Sequence, residues 1–251
     1  MEMVEQIDLF APKVRPLNVL VACEESQAVC KEMRRLGHRA FSCDLQDCSG
    51  GHPEWHVKGD VLALLNGNCD FHTADSRAHT QRGSGDLIIA HPPCTYLTNV
   101  ATRWFSLRVQ PAEKVVARWR KRAEAAVLFM RFIGADCPRI AVENPVGFMG
   151  AAYRRADQIV QPWWWAESED DAENYYSKAT GLWLKGLPLL VGNGVFTHYD
   201  YGQLGKYSNG KNKTWEDTHK NSKFRSKTPP GLARAMAEQW AGDARKEKDN
   251  G

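Results

Sequence analysis

Short, almost uninterrupted apolar runs alternate along this chain with longer segments whose apolar residues recur three and four positions apart. Asn18-Val-Leu-Val-Ala-Cys23 is the first such run. A strand covered on both faces, as in a parallel sheet, reads this way. Glu24-Glu-Ser-Gln27 comes next, with Ser26 as the expected helix N-cap. From Gln27 to Leu36, Ala28, Val29, Met33 and Leu36 share one helical face, and Gly37 supplies a C-terminal stop. Arg39-Ala-Phe-Ser-Cys-Asp44 is a second strand that ends in an acid. Strand, helix and strand in this order make a βαβ unit.

Trp55-His-Val-Lys-Gly-Asp60-Val-Leu is a third element, and the polar, Gly-containing residues 66–85 predict a surface loop. Leu87–Ala90 predicts a fourth strand. Residues 95–111 form a polar-aromatic loop closed by Pro111. Ala112–Ile133 is the longest helical pattern, with Arg118, Arg120, Lys121 and Arg122 set against Val115, Val116, Trp119, Val127, Leu128 and Phe132. Arg139–Val142 predicts a fifth strand. The sum is a doubly wound, Rossmann-like α/β fold, whose ligands bind at the carboxyl ends of the strands. Periodicity loosens after residue 147. Trp163-Trp-Trp165 reads as packing, Gly181–Pro188 as another strand, and Pro229–Trp240 as a final helix with proline near its start. The expected organisation is a flexible tail at 1–16, an α/β core at 17–147, a small variable region at 148–225, and at 226–251 a helix that returns to the core before a frayed end.

Composition narrows the class. At 251 residues the chain can bury a full core. Charged residues make up 25% and the net charge is +3, which permits a polyanionic partner without demanding one. No stretch approaches the roughly 20 apolar residues of a membrane helix, so no membrane association is expected. Seven cysteines without a Cys-x-x-Cys pair argue against zinc and for a reducing, cytoplasmic setting. Cys23, Cys30, Cys43, Cys69 and Cys137 read as small buried hydrophobes.

Two strand ends carry candidate chemistry. The fourth strand runs into His91-Pro92-Pro93-Cys94, a thiol delivered from a rigid turn, and the fifth into Glu143-Asn144-Pro145, a carboxylate followed by an amide. A thiol beside an acid at one sheet edge suits covalent attack on an electrophilic ring whose nitrogen is hydrogen-bonded or protonated at the same moment. The pair resembles the Pro-Pro-Cys and Glu-Asn-Val signatures of DNA cytosine-5 methyltransferases. The Thr228-Pro-Pro-Gly-Leu-Ala-Arg-Ala-Met-Ala237 segment resembles that family's last motif, so the likeness spans residues 18–147 and 226–240.

The resemblance implies a class I S-adenosylmethionine-dependent methyltransferase fold and S-adenosyl-L-methionine as cofactor. It implies Cys94 as nucleophile and Glu143 as the acid that holds the cytosine ring, with Asn144 and Pro93 positioning them. Ala22, Cys23, Glu24, Ser26 and Pro92 would line the cofactor's methionine end, Asp44 its ribose, and Asp60 its adenine amine. The departures are specific. Cys23, Glu25 and Ser26 stand where the family has glycines. His91 replaces the glycine before Pro-Pro, and Pro145 replaces the valine of Glu-Asn-Val. No Gln-x-Arg-x-Arg run is present, and Lys178 is the candidate substitute for its arginine.

Double-stranded DNA is the implied partner, with Arg103, Lys178, Lys211, Lys213 and Arg225 as candidate contacts. Between Lys206 and Arg225 six Lys/Arg face two acids. Tyr199, Tyr201, Tyr207 and Trp215 are interleaved with these cations, a composition suited to phosphate contact and base stacking. In the tail, Gln6-Ile-Asp8-Leu9-Phe10 resembles the peptide that docks bacterial proteins on the DNA polymerase sliding clamp. The expected function is methylation of C5 of cytosine in DNA in a bacterial, phage-like setting. The rivals are a same-fold enzyme acting on a free pyrimidine nucleotide, and an inactive DNA- or clamp-binding module.

Overall fold

The computed structural model describes residues 15–213, 215–218 and 225–245. Nine strands occur among them: β1 (Asn18–Ala22), β2 (Arg39–Asp44), β3 (His56–Lys58), β4 (Cys69–His72), β5 (Ala78–Gln81), β6 (Leu87–Ala90), β7 (Ile140–Pro145), β8 (Gln158–Val160) and β9 (Thr180–Lys185). Seven of them form one sheet in the order β3-β2-β1-β6-β7-β9-β8. The first five run parallel, and β9 is inserted antiparallel between β7 and β8. The chain reverses its direction of travel across the sheet between β1 and β6, the place where open α/β sheets bind ligands.

The apolar runs follow the pleat. Val19, Val21, Leu87, Ile89, Ala141 and Leu182 enter one core, and Ala22, Ile88, Ala90, Ile140, Val142 and Trp183 enter the other. The first core is closed by α1 (Ala28–Arg35) and α4 (Pro230–Trp240), through Val29, Met33, Leu232, Met236 and Trp240. The second is closed by α2 (Ala112–Ile133), through Phe129 and Phe132. Because both faces are covered, the strands need no polar alternation, and this is why they appear as continuous apolar runs. The short α3 (Phe148–Ala152) comes after β7.

Several expectations need correction. Residues 66–85 are not a plain loop, since they contain the antiparallel hairpin β4–β5. Half of each strand is exposed, so its apolar signal is confined to Phe71, which packs edge-on against Phe41 at 5.2 Å. Cys69 therefore lies half-buried on a hairpin, and Cys23 is also only half-buried. Ser26 does not cap α1. Both carboxylate oxygens of Glu24 do so instead, accepting from the Val29 and Cys30 amides at 2.6 and 3.2 Å. Arg122 is not on the solvated side of α2. It is buried, donates to the Tyr96 carbonyl at 2.8 Å and lies 3.5 Å over the Phe105 ring. The strand expected at Gly181–Pro188 is β9, and together with β8 it extends the sheet past residue 147. Trp165 is buried beneath α4, in keeping with a packing role. Among the described residues no helix is long and apolar enough to cross a membrane.

Candidate active site

The tips of β1 and β6 lie beside the middle of β7, with Ala22 paired to Ala90 and Ala90 to Val142. The residues that follow these paired positions therefore emerge at one edge: Cys23-Glu24, His91-Pro92-Pro93-Cys94 and Glu143-Asn144. Glu143 and Asn144 are still inside β7, which runs past the expected strand end at Val142 because it pairs on with β9. The His91 amide donates to the Ala22 carbonyl at 2.9 Å, which continues the ladder one residue further. The Pro-Pro turn then removes two donors. The Cys94 carbonyl closes the turn by accepting from the Leu97 and Thr98 amides at 2.9 and 3.1 Å. The Cys94 side chain plays no part in these bonds. Asn144 is buried, and its amide nitrogen donates to the Pro92 carbonyl at 3.0 Å. The two candidate motifs are thus bonded to each other through the residue next to the acid.

Glu143 does not pair with Arg139, the charge next to its own strand. Arg139 sits at the other end and donates to the Asp86 and Trp240 carbonyls. The partner of Glu143 is His91, with Nδ1 3.5 Å from Oε2 and side-chain exposures of 9% and 16%. Burial pushes the Glu143 carboxyl up. The hydrogen bond and attraction to His91, the Lys178 charge and a hydrogen bond from Thr180 outweigh burial and hold it below its ordinary range. The Cys94 thiol is pushed up by burial and by the Glu143 charge, against Lys178 and Arg225. Lys178 and Arg225 therefore both stand close enough to act on the thiol. They are also tied together, since Lys178 Nζ donates to the Arg225 carbonyl at 2.8 Å. In this way β9 and the segment before α4 bring cations over an edge built by β6 and β7.

Gly147 locks the loop after Cys94 onto the segment after Glu143. A Cβ built on Gly147 falls 2.1 Å from the Leu97 carbonyl oxygen and 2.9 Å from Thr98 Cα. The next amide, Phe148 N, donates to the same Leu97 oxygen at 2.7 Å. Gly147→Ala must drive these backbones apart, and we expect it to cost about 1–3 kcal/mol as overpacking does. Chemical denaturation measures the loss, and wild-type stability would show that the two segments separate freely.

The edge on the other side of His91 holds the expected cofactor residues. Cys23 has φ of 59°, a left-handed conformation that favours glycine, so it makes a tight turn directly after β1. Its thiol is pushed up to about 12 by burial, with Asp44, Cys43 and Asp60 adding to the rise. Asp44 and Asp60 are therefore neighbours of this turn. The Asp44 carboxylate accepts the Gln46 amide at 2.9 Å, and Asp60 caps a short helical turn through the Leu62 amide at 3.0 Å. Glu24 is buried with both oxygens on α1, so its side chain serves the helix.

The candidate nucleic-acid contacts divide into two groups. Lys178 and Arg225 join the Cys94–Glu143 pair. Arg103 is exposed and lies over the Trp104 ring at 4.3 Å. Lys211 and Lys213 belong to a turn closed by the Lys206–Asn212 bridge. Among the described residues no hydrogen bond or ion pair takes Arg103, Lys211 or Lys213 to the pair. The interleaved aromatics also divide. Tyr199 and Trp215 are buried, Trp215 stacked on Tyr176 at 4.1 Å, whereas Tyr201 and Tyr207 are exposed. Gln6, Asp8, Leu9 and Phe10 lie outside the described residues. Local pattern gives no sign that Thr180, Gly147 and Arg122 belong to the site, because only strand pairing and loop packing bring them there. The chain matches no model of a known protein family, and it matches no curated protein.

Proposed function

We propose that this chain transfers a methyl group from S-adenosylmethionine to C5 of cytosine in DNA. The observation that carries the reading is the junction of Cys94 and Glu143. A thiol in the turn after β6 and a largely buried carboxylate in β7 stand at one edge of the sheet, joined by the Asn144–Pro92 bond and attended by Lys178 and Arg225. The sheet supports it. Its order through the first five strands is that of a dinucleotide-binding sheet, but its edge carries a reversed strand inserted before the last one. That arrangement suits the class I methyltransferase fold.

The residues at the cofactor edge fit the proposed donor. Asp44 and Asp60 flank the tight Cys23 turn and can accept from ribose hydroxyls and from an adenine amine. S-adenosylmethionine supplies an electrophilic methyl group there. The chain's own residues do the rest. Cys94, as thiolate, attacks C6 of a base rotated out of the duplex. Glu143 accepts from the exocyclic amine and stabilises the ring proton at N3 while the Cys94–C6 bond exists. C5, made electron-rich by that bond, takes the methyl group. A solvent base then removes the C5 proton, the Cys94–C6 bond breaks with its electrons returning to sulfur, and N3 gives up its proton. Lys178 and Arg225 favour the thiolate and stand where cations can meet the cytosine O2 or a flanking phosphate.

Bisulfite sequencing of DNA from cells expressing the protein tests the activity and reads the target sequence. A covalent complex with DNA containing 5-fluorocytosine, and none with the free nucleotide, separates DNA from a mononucleotide substrate. We expect Asp44→Ala to weaken S-adenosylmethionine binding by about 1.5–3 kcal/mol, the worth of a charged acceptor to hydroxyls. Calorimetry with unchanged affinity would remove Asp44 from the site.

The tail reading belongs to the same proposal. Leu9 and Phe10 would anchor the chain on a bacterial sliding clamp, raising its local concentration on newly replicated DNA. Leu9→Ala with Phe10→Ala should abolish clamp capture while sparing methylation of short oligonucleotides, since two apolar anchors dominate such docking. A double variant that binds the clamp as wild type does would end this part of the proposal.

A further inference from the structure

The outer surface of α2 carries apolar side chains that its own fold leaves open. Val116, Trp119, Val127 and Met130 are 50%, 47%, 58% and 39% exposed. Ala112 and Ala123, also exposed, complete the series. At 3.6 residues per turn all six fall in one stripe, well round the helix from the face that buries Val115, Phe129 and Phe132. The stripe is about 27 Å long at 1.5 Å per residue. It continues past the start of the helix. Phe105 packs on Trp119 at 5.1 Å, and in the segment around Phe105, Val100 and Leu107 are 81% and 70% exposed. A contiguous apolar surface of this kind marks a binding face.

The charges beside the stripe decide the partner. Glu113, Arg120, Glu124 and Arg131 are exposed and form one row along its edge. Their signs alternate: negative, positive, negative, positive. The row is also symmetric about residue 122. Glu113 and Arg131 lie nine positions from it on either side, and Arg120 and Glu124 lie two positions from it. Laid against a copy of itself running the other way, every charge meets its opposite. Laid parallel under a two-fold, the two rows fall on opposite sides of the seam and the pairing is lost. Ala123, beside the centre, keeps the meeting point small enough for close approach of two helix axes. Among the described residues Glu113, Arg120 and Arg131 form no ion pair. Glu124 has an exposed intrahelical one with Lys121 at 3.2 Å, a weak class of interaction.

We infer that a second copy of this chain docks along α2 in an antiparallel, isologous pair. The same patch serves both partners, as two-fold symmetry requires. The Val116–Met130 stripes form the dry centre, and the alternating row sets register and polarity. Such a surface is independent of the catalytic reading, because it lies on α2 and not at the strand tips.

The test is sedimentation velocity of the full chain over a concentration series. The expected result is a monomer–dimer equilibrium at roughly micromolar concentrations, a strength ordinary for a modest interface. Glu113→Arg with Glu124→Arg makes the row wholly positive, and Arg120→Glu with Arg131→Glu makes it wholly negative. Each variant alone should lose at least about tenfold in association, and an equimolar mixture should recover a mixed dimer. All four positions are exposed, so circular dichroism should remain that of wild type. A wild-type chain that stays monomeric at every concentration would overturn the inference. So would a dimer that survives in both variants, or folded variants that fail to associate when mixed.

Discussion

Under the proposed function, Cys94→Ser will abolish DNA methylation and leave the fold and S-adenosylmethionine binding intact. The turn that presents Cys94 is held by its backbone carbonyl, by Pro92 and Pro93 and by the Asn144 amide. None of these uses the sulfur, so serine can occupy the same place. What serine cannot do is ionise. Burial and Glu143 already push the thiol up, and Lys178 and Arg225 only partly oppose them. A hydroxyl starts several pH units higher and presents no usable nucleophile near neutral pH. The measurement is methyl transfer to DNA alongside calorimetry with the cofactor. Turnover near wild type would exclude a covalent Cys94 adduct. Loss of both activity and cofactor binding would instead mean that the substitution disturbed the edge as a whole.

Glu143→Gln should reduce turnover on the order of 100-fold or more, the usual scale for removing a positioned acid or base. The amide keeps the shape of the side chain but neither the charge nor the titratable proton. It also leaves His91 without the carboxylate that faces it at 3.5 Å. Single-turnover kinetics separate a loss in the chemical step from slow product release, and an undiminished rate would make Glu143 a structural acid. The same substitution has a signature in stability. The Glu143 carboxyl is held below its ordinary range in the folded chain. Its contribution is therefore present above the unfolded value and is lost as pH falls through the folded one. Wild-type stability should fall on acidification through the carboxylate range more steeply than that of Glu143→Gln. Parallel curves would mean that His91 and Lys178 do not hold the acid in the ionised form.

Much of the framework is legible in local pattern. The runs Val19–Ala22, Leu87–Ala90 and Ile140–Val142 are apolar throughout because each is covered on both faces, and a parallel sheet is the common way to achieve that. Ala112–Ile133 is a helix over the range its periodicity predicts, since twenty-two residues of consistent spacing outweigh any single position. The hairpin β4–β5 is hidden because half of each strand faces solvent and carries polar residues. Ser26 has the right chemistry for a cap, but Glu24 reaches the same amides from two residues earlier, which only the turn at Cys23 makes possible.

The order of residues alone tells which groups could react and at which strand ends they stand. Strand ends are set by local periodicity, and the chemistry of Cys94, Glu143 and Asn144 is written in their side chains. The assembled sheet settles what each of them meets. His91 faces Glu143 because β6 and β7 are neighbours. Thr180 and Lys178 reach the acid because β9 runs antiparallel beside β7, and Arg225 arrives with the segment that leads into α4. These partners come from separate stretches of the chain, and no local pattern encodes the pairing that joins them. Their distances are set by strand order and by loop packing such as that at Gly147, where a backbone contact leaves no space for a side chain. Those are properties of the folded chain as a whole, and they decide whether the reactive groups share one environment.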